Sequence, residues 1–254
     1  MAERFVFITG ASSGLGAALA TVYAAQGAVL ALVGRRAQAL QDLNAALGGR
    51  HFCYALDVCD RAALHAAAAD FLQHSGQRID IVVASAGVSQ GTLTAETQDF
   101  EVFESILATN LMATVATFEP FVPVMMRAGQ GRLVGIGSVA GVRGLPGAGA
   151  YSASKAAVAT YCESLRVELA PAGVGVVTIA PGYIRTQMTA HNPYRMPFLM
   201  DADAFAQKAS IAIERGTRYT VIPWQMGIVA RLMRCLPNAL YDRLARNAPR
   251  KPRR

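Results

Sequence analysis

The sequence predicts an α/β fold in which a doubly wound parallel sheet of about seven strands carries helices on both faces. Short apolar runs alternate along the chain with helical segments of about ten to fifteen residues, a pattern typical of βαβ units. Apolar residues make up 53% of the 254 residues and charged residues only 16%. Strands that are covered on both faces need such a composition. Right-handed crossovers then wind the units into one sheet.

The elements follow from apolar periodicity and from glycine and proline stops. In the first half, strands are predicted at residues 4–8, 28–33, 52–56 and 79–84, and helices at residues 15–26, 37–47 and 61–74. One or two long helices are expected over residues 100–127. The remaining strands are predicted at residues 132–136, 175–179 and 218–222, and the remaining helices at residues 150–169, 201–215, 225–235 and 238–246. Residues 187–200, rich in Met, Pro and Asn, are expected to form a loop.

Charge divides the chain unevenly. Residues 225–254 hold eight basic residues and one acid, so they carry the whole net charge of +7, while residues 1–224 are neutral. We expect residues 1–224 to form a single Rossmann-like catalytic domain, and residues 225–254 to form a helical, basic extension of the same domain. The high isoelectric point is therefore not a sign of nucleic-acid binding by the fold itself.

The sequence also argues against secretion, a metal site and a membrane span. No charged segment followed by an apolar one opens the chain, and the four cysteines form no Cys-x-x-Cys pair. These features favour a cytoplasmic protein without a bound metal. The apolar stretch at residues 106–126 contains Asn110, Glu119, Pro120 and Pro123, so we interpret it as a buried helix.

A glycine-rich turn follows the first strand. Gly10, Ser12, Ser13, Gly14, Leu15 and Gly16 lie between this strand and the first helix. Glycines there permit a tight turn and a close approach of the backbone to a pyrophosphate, which the free N–H groups of the helix N-terminus can bind. A glycine-rich connection without a ligand is the alternative, and the flanking strand and helix argue against it.

The end of the second strand indicates which dinucleotide binds. An acid at this point would bind the adenosine ribose hydroxyls and repel a 2′-phosphate, but the sequence has Arg35 and Arg36. Two guanidinium groups suit a phosphate dianion, so we predict that NADP(H) is preferred. Asp57, after the third strand, could accept a hydrogen bond from the adenine amino group or could be an ordinary turn aspartate.

The candidate catalytic pair is Tyr151 and Lys155, which lie one helical turn apart on one face. A neighbouring ammonium and a positive nicotinamide ring would lower the pKa of a phenol, and the phenol could then exchange a proton with a carbonyl or alcohol oxygen. Ser138 follows the fifth strand and can reach the same crevice. Asn110 interrupts an apolar helix, so it either satisfies a buried partner or lines the site.

These motifs together resemble one known family. They are TGASSGLG at residues 9–16, Asp57-Val58, Ser85-Ala86-Gly87, Asn110, Ser138, YSASK at residues 151–155 and PGYIRT at residues 181–186. In order and spacing they are similar to the motifs of the classical short-chain dehydrogenases/reductases, over about residues 4–222.

The resemblance implies a catalytic tetrad of Asn110, Ser138, Tyr151 and Lys155. In that family the serine polarises the substrate oxygen, the tyrosine is the acid/base, the lysine binds the nicotinamide ribose and tunes the tyrosine, and the asparagine holds a water of the proton relay. It further implies that the cofactor contacts Val58, Ser85, Ala86, Gly87, Pro181, Gly182, Ile184 and Thr186. It also implies a homodimer or homotetramer.

Two departures from the family pattern bear on the site. Ser85 stands where the family usually has Asn, which removes an amide that braces the central strand. Gly135 and Gly137 replace bulkier or polar residues, so extra room is expected near Ser138. The loop at residues 187–200, with Met188, is expected to close over a small-molecule substrate and to give it an apolar face.

The sequence therefore predicts an NADP(H)-dependent oxidoreductase that interconverts a carbonyl and a secondary alcohol. Alternatives are a nucleotide-binding sensor or scaffold without turnover, and a ketoacyl-thioester reductase. An epimerase or dehydratase usually needs a longer substrate domain than this chain has after its sixth strand. The stretch at residues 221–236, which holds Trp224 and precedes the basic tail, is expected to pack on the core or on a partner subunit. Its alternatives are peripheral contact with a membrane surface or attraction of an acidic carrier protein.

Overall fold

The structure, a computed structural model, describes residues 3–190, 192–248 and 250–253. The described residues form the strands β1 (Phe5–Thr9), β2 (Val29–Gly34), β3 (Phe52–Ala55), β4 (Ile81–Ala84), β5 (Arg132–Ile136), β6 (Gly175–Pro181), β7 (Ile184–Arg185), β8 (Met200–Asp201) and β9 (Tyr219–Ile222). All but β7 and β8 form one sheet of seven parallel strands in the order β3-β2-β1-β4-β5-β6-β9. The predicted doubly wound parallel sheet is confirmed.

Helices cover both faces of the sheet. They are α1 (Gly14–Ala25), α2 (Ala37–Ala46), α3 (Arg61–His74), α4 (Asp99–Leu107), α5 (Ala113–Phe118), α6 (Val122–Ala128), α7 (Gly149–Leu169), α8 (Ala202–Glu214), α9 (Trp224–Cys235) and α10 (Asn238–Ala245). Successive residues of β1 explain the two layers, because side chains alternate across a strand. Phe7 packs with α3 and α7 on one face, whereas Ile8 packs with α1, α2 and α8 on the other.

The region predicted as one or two long helices is broken into three. A π-helical turn (Ala108–Met112) joins α4 to α5, and a turn at Pro120 separates α5 from α6. Proline lacks the N–H that a helix interior requires, which accounts for the second break. Asp99–Ala128 is long and apolar enough to cross a membrane by composition alone. It packs against α3, α7 and β4, as a core element of a globular protein does.

The loop at residues 187–200 ends in a short pairing that the sequence did not indicate. β7 and β8 form a separate two-stranded parallel sheet, in which Ile184 pairs with Met200. This pairing ties the end of the loop back to the segment that leaves β6. The loop therefore lies over the carboxyl edge of the main sheet.

The C-terminal helices dock on the loop that precedes α7. The Arg143 guanidinium donates hydrogen bonds to the carbonyls of Met233 and Leu236, at 3.3 and 3.0 Å. It also lies over the Tyr241 ring, 4.1 Å from the centroid. Residues 250–253 then return toward the carboxyl edge of the sheet, where the cleft described below opens.

Candidate active site

The glycine-rich turn has the shape that a phosphate needs. Gly10 adopts a φ of +70°, and a Cβ there would lie 2.8 Å from the backbone of Ala86. A Cβ at Gly16 would lie 2.4 Å from the carbonyl oxygen of Gly10. The turn between β1 and α1 is therefore packed too closely for any side chain at these two positions. It presents the N-terminus of α1 to the cleft, as a pyrophosphate cradle must.

The two arginines sit at the entrance to this turn. Both are exposed and follow directly after β2. Arg36 donates hydrogen bonds to the carbonyl oxygen and the hydroxyl of Ser12, at 2.8 and 3.4 Å. Asp57 accepts a hydrogen bond from the Cys59 N–H at 2.9 Å, so its turn-forming role is present in the structure while the residue also lines the cleft.

Thr9 braces the strand end where Ser85 replaces the amide expected from the family pattern. The Thr9 hydroxyl accepts hydrogen bonds from the N–H groups of Ser85 and Ala86, at 3.1 and 3.3 Å. It donates to the carbonyl of Val83 at 3.4 Å. The end of β4 is thus held by the last residue of β1. Sequence reasoning did not find this bracing role of Thr9. The one signal available was that Thr9 is a polar residue at the end of an apolar strand, where the glycine motif begins.

Tyr151, Ser138 and Lys155 converge at the carboxyl end of β5. Tyr151 and Lys155 share one face of α7, and the Lys155 ammonium lies 5.9 Å from the Tyr151 ring centroid. The Ser138 hydroxyl lies near enough to the Tyr151 hydroxyl to lower the pKa of the phenol. Lys155 is 6% exposed and donates to the Ile136 carbonyl at 2.8 Å. Side chains from β5 and α7 therefore present two hydroxyls and one ammonium to the same point.

Burial dominates the electrostatics of this group. It raises the pKa of Tyr151, and the nearby Ser138 hydroxyl opposes the rise. The lowering expected from the Lys155 ammonium together with a bound nicotinamide stays a prediction. Burial also lowers the pKa of Lys155 to about 8. At neutral pH the phenol is protonated and the ammonium is charged.

Asn110 lies in the π-helical turn and is fully buried. Its side-chain Oδ1 accepts from the Val88 N–H at 2.8 Å, and its Nδ2 donates to the Val88 carbonyl at 3.0 Å. Nδ2 also donates to the Ser154 hydroxyl at 2.9 Å. Asn110 is not among the described residues that line the cleft. Its side chain braces Val88, which does line the cleft.

The extra room expected near Ser138 is not found at Gly135. A Cβ there would lie 2.4 Å from the Cys162 Sγ, so the thiol of α7 already fills that space. At Gly137 a Cβ would make ordinary contacts of 3.5 Å or longer. The expectation was wrong for Gly135 because the sequence does not show which side chain of a distant helix faces a strand glycine.

The phosphate-binding turn, the two arginines, Ser138, Tyr151 and Lys155 line one cleft of about 440 Å³ along the carboxyl edge of the sheet. Every predicted cofactor-binding residue lies in its wall, together with Ser138. The wall also includes Gly137 and three residues of the loop expected to close over the substrate, namely Gln187, Met188 and Thr189. Sequence reasoning missed five further residues of the wall: Gly34, Leu56, Val88, Thr109 and Ile136. These five carry no local sequence signal of a site.

The fold and this cleft together define a dinucleotide-binding α/β protein. Residues 4–195 match the sequence model of the short chain dehydrogenase family. A Myxococcus xanthus relative described as an uncharacterized oxidoreductase is 40% identical over 250 residues, which is 97% of this chain and 98% of the relative. A 2-dehydro-3-deoxy-L-rhamnonate dehydrogenase (NAD(+)) from a Sphingomonas species is 38% identical over 180 residues, which is 71% of this chain and 72% of the relative.

Similar solved structures include members of the same family. A short chain dehydrogenase from Burkholderia cenocepacia in complex with NADP superposes with a TM-score of 0.82 at 25% identity, covering 95% of this chain and 97% of that one. The chain belongs to the short-chain dehydrogenase/reductase family. Its members are oxidoreductases that act on CH–OH groups with nicotinamide cofactors and small-molecule substrates, and they are commonly oligomeric.

Proposed function

We propose that the protein is an NADP(H)-dependent oxidoreductase that interconverts a carbonyl and a secondary alcohol, with Tyr151 as the acid/base. The observation that carries the proposal is the meeting of Tyr151, Ser138 and Lys155 in the wall of the cleft that contains the phosphate-binding turn. Eight separate segments of the chain supply this wall. A Tyr-x-x-x-Lys pair that occurs by chance on a helix surface would not lie in one cleft with these other segments.

The side chains divide the proton chemistry among them. A bound nicotinamide supplies or accepts the hydride. Tyr151 donates its phenolic proton to the carbonyl oxygen during reduction and takes it back during oxidation. Ser138 holds the same oxygen by a hydrogen bond. The charged Lys155 stabilises the phenolate that remains after proton transfer, and Asn110 positions the Val88 backbone through its side-chain hydrogen bonds.

The Tyr151→Phe variant tests the proposal. We expect it to bind NADPH as the wild type does, and to lose about 10²- to 10⁴-fold in kcat, the usual contribution of general acid catalysis. The rates would be measured by NADPH oxidation with aldehydes, ketones, ketoacyl thioesters and steroids. Tyr219→Phe, in the exposed part of β9, is the matched control. Equal rates in wild type and Tyr151→Phe on every active substrate would overturn the proposed role.

The preference for NADP(H) rests on Arg35 and Arg36. Both guanidinium groups are exposed at the end of β2 in the cleft wall, and the Arg36 guanidinium already reaches the phosphate-binding turn at Ser12. We expect Arg35→Asp to lower kcat/KM for NADPH and to raise it for NADH, since an aspartate repels a 2′-phosphate and binds ribose hydroxyls. If both proteins show the same ratio of the two rates, Arg35 does not select the cofactor.

The proposed substrate has an apolar part. Met188 lies in the cleft wall and is 41% exposed, and Phe198 of the same loop is 50% exposed. Flexible apolar side chains at a cleft mouth suit an apolar ligand.

The four cysteines are free thiols in the structure, which supports the cytoplasmic location proposed from their spacing.

We also propose that a second copy of the chain covers the outer face of α9. Met226 and Ala230 of this helix are buried in the core, as expected. Trp224, Ile228 and Leu232 lie on its other side and are 68%, 49% and 63% exposed. Large apolar side chains spaced by one helical turn form a continuous stripe. A membrane surface is the alternative occupant of this stripe.

A further inference from the structure

The C-terminal strap, defined here as residues 250–253, is held beside Tyr151 by contacts with residues 89–99. The Arg253 guanidinium makes two hydrogen bonds to the buried carboxylate of Asp99, at 2.8 and 3.1 Å, and lies 3.4 Å from Glu96. The Gly91 N–H donates to the Pro252 carbonyl at 2.9 Å. The Gln90 side-chain amide donates to the Arg253 carbonyl. The strap is therefore a fixed part of the fold rather than a solvated basic tail.

Two glycines make room for the strap. A Cβ at Gly91 would lie 2.3 Å from the Lys251 carbonyl oxygen, and one at Gly147 would lie 3.1 Å from the Arg250 side chain. Gly91 and Gly147 belong to the loops that follow β4 and precede α7. The Thr92 N–H joins these loops by donating to the Gly147 carbonyl at 3.0 Å. The strap thus lies across the two loops that flank Tyr151.

This position brings a second lysine to Tyr151. The Lys251 ammonium lies 5.9 Å from the Tyr151 ring centroid, the same distance as the Lys155 ammonium. The chain contains only three lysines, and two of them flank this ring. Lys155 is committed to the Ile136 carbonyl inside the fold, whereas Lys251 reaches the ring from the strap.

The Lys251 ammonium has unused hydrogen-bonding capacity. It donates one hydrogen bond, to the Ser89 hydroxyl at 2.8 Å, and an ammonium can donate three. Within the described residues, no carboxylate lies within 4.0 Å of it. It is partly buried, and burial lowers its pKa. A partly buried cation with no counter-ion is costly, and an anion beside it would remove that cost.

We propose that Lys251 is a specificity-determining residue that binds a carboxylate carried by the substrate next to the reacting carbonyl. The inference rests on the proposed function, because it places the carbonyl at Tyr151. An oxo acid with an apolar chain fits both this cation and the apolar side chains of the loop at residues 187–200. A neutral ketone of the same size leaves the ammonium unpaired.

The test compares a charged and a neutral substrate of equal size. We expect Lys251→Met to lower kcat/KM for 2-oxooctanoate by at least about tenfold, the loss typical of a charged hydrogen bond, and to leave kcat/KM for methyl 2-oxooctanoate nearly unchanged. Lys251→Arg should retain most of the activity on the acid. Lys208→Met, at an exposed position of α8, should change neither substrate. For each substrate, the kcat/KM of the variant is divided by that of the wild type, so that the different intrinsic reactivities of the acid and the ester cancel. An equal loss on both substrates, or no loss on either, would overturn the proposal.

Calorimetric titration with octanoate separates this inference from the proposed function. Octanoate has the carboxylate but no reacting carbonyl, so its binding needs no turnover. If neither substrate is reduced, the proposed function fails, and at least about tenfold weaker octanoate binding in Lys251→Met would still support the anion site. Equal binding in the two proteins, or no binding to wild type with and without NADPH, would overturn the role of Lys251.

Discussion

Lys155 shows most directly how one side chain connects stability and function. Its ammonium is almost fully buried, and its described hydrogen bond goes to a single backbone carbonyl. Burial disfavours the charged form, which lowers the pKa of Lys155 from 10.5 to about 8. A charged group kept in such a place costs folding free energy. In the proposed mechanism the charge stabilises a phenolate at Tyr151, so activity and stability would conflict at this residue.

The conflict predicts a pH-dependent stability difference between the wild type and Lys155→Met. Below about pH 8 the lysine is protonated in both the folded and the unfolded chain, and the full cost of burial is present. As the pH rises from 8 to 10.5, the folded chain releases this proton before the unfolded chain does, so the wild type gains stability relative to the variant. The gain can reach about 3 kcal/mol, from the difference between the two pKa values.

Urea denaturation of the cofactor-free proteins at several pH values between 7 and 10.5 would measure this difference. Lys208→Met is the control, since an exposed lysine contributes no such trend. A stability difference between wild type and Lys155→Met that stays constant over the whole range would contradict the prediction.

At the scale of elements, the π-helical turn between α4 and α5 links three parts of the site. The turn directs Asn110 toward the segment after β4, where its amide satisfies both backbone groups of Val88. The same amide donates to Ser154 of α7, whose hydroxyl donates in turn to the Tyr151 carbonyl at 2.8 Å. Short π-helical turns within α-helices often occur at functional sites. Here the turn fixes Val88, in the wall of the cleft, relative to the helix that carries Tyr151.

Replacing Asn110 by Leu should loosen that arrangement. The Val88 N–H and carbonyl would lose their partners in a buried place, at a cost of about 2–4 kcal/mol in the free energy of unfolding. Ser154→Ala removes only one of the bonds and should cost about 1 kcal/mol. Thermal and urea unfolding would measure both variants, and steady-state kinetics should show a higher KM for Asn110→Leu. Equal stability losses in the two variants would exclude the bracing of Val88 as the role of Asn110.

Elements were predicted well where local pattern determines them. Each of the seven sheet strands coincides with an apolar run, because strands buried on both faces need such runs. The π-helical turn and the β7–β8 pairing were missed, since neither changes the periodicity of a short segment. Gly135 was misread for a related reason, as the thiol that fills its space belongs to a helix far along the chain. Among the site residues, those in continuous motifs were found, whereas Val88, which lies just outside a motif, was not.

For the whole molecule, charge is arranged differently from what the sequence suggested. The basic residues of the last thirty positions were expected to lie in a helical extension of the domain, for which contact with a membrane surface or an acidic carrier protein was an alternative. In the structure Arg253 is bound to Asp99, and Lys251 lies near Tyr151. These two cations are therefore not available to a membrane or to an acidic carrier. The sequence could not show this, because long-range docking of a short charged segment leaves no local pattern.

The outer face of α9 gives a prediction for the assembled molecule. Ile228→Glu combined with Leu232→Glu should weaken self-association by about a hundredfold, since burying two such side chains contributes about 3 kcal/mol. Sedimentation velocity over a range of concentrations would measure it. Arg231→Glu, an exposed position of the same helix, is the control for added negative charge. A wild type that is monomeric throughout, and that binds anionic vesicles at low salt, would assign the face to a membrane instead.

The strap also has a consequence for how the enzyme is made. Lys251 and Ser89 are separated by 162 positions along the chain, so the contact between them closes one of the longest loops in the fold. During synthesis the phosphate-binding turn and most of the sheet leave the ribosome well before residues 250–253 do. Long-range contacts form late because their loop-closure entropy is lost before the contact is gained. A nascent chain could therefore bind its nucleotide while the substrate side still lacks a wall, and selectivity for the substrate would be the last property that the folding enzyme acquires.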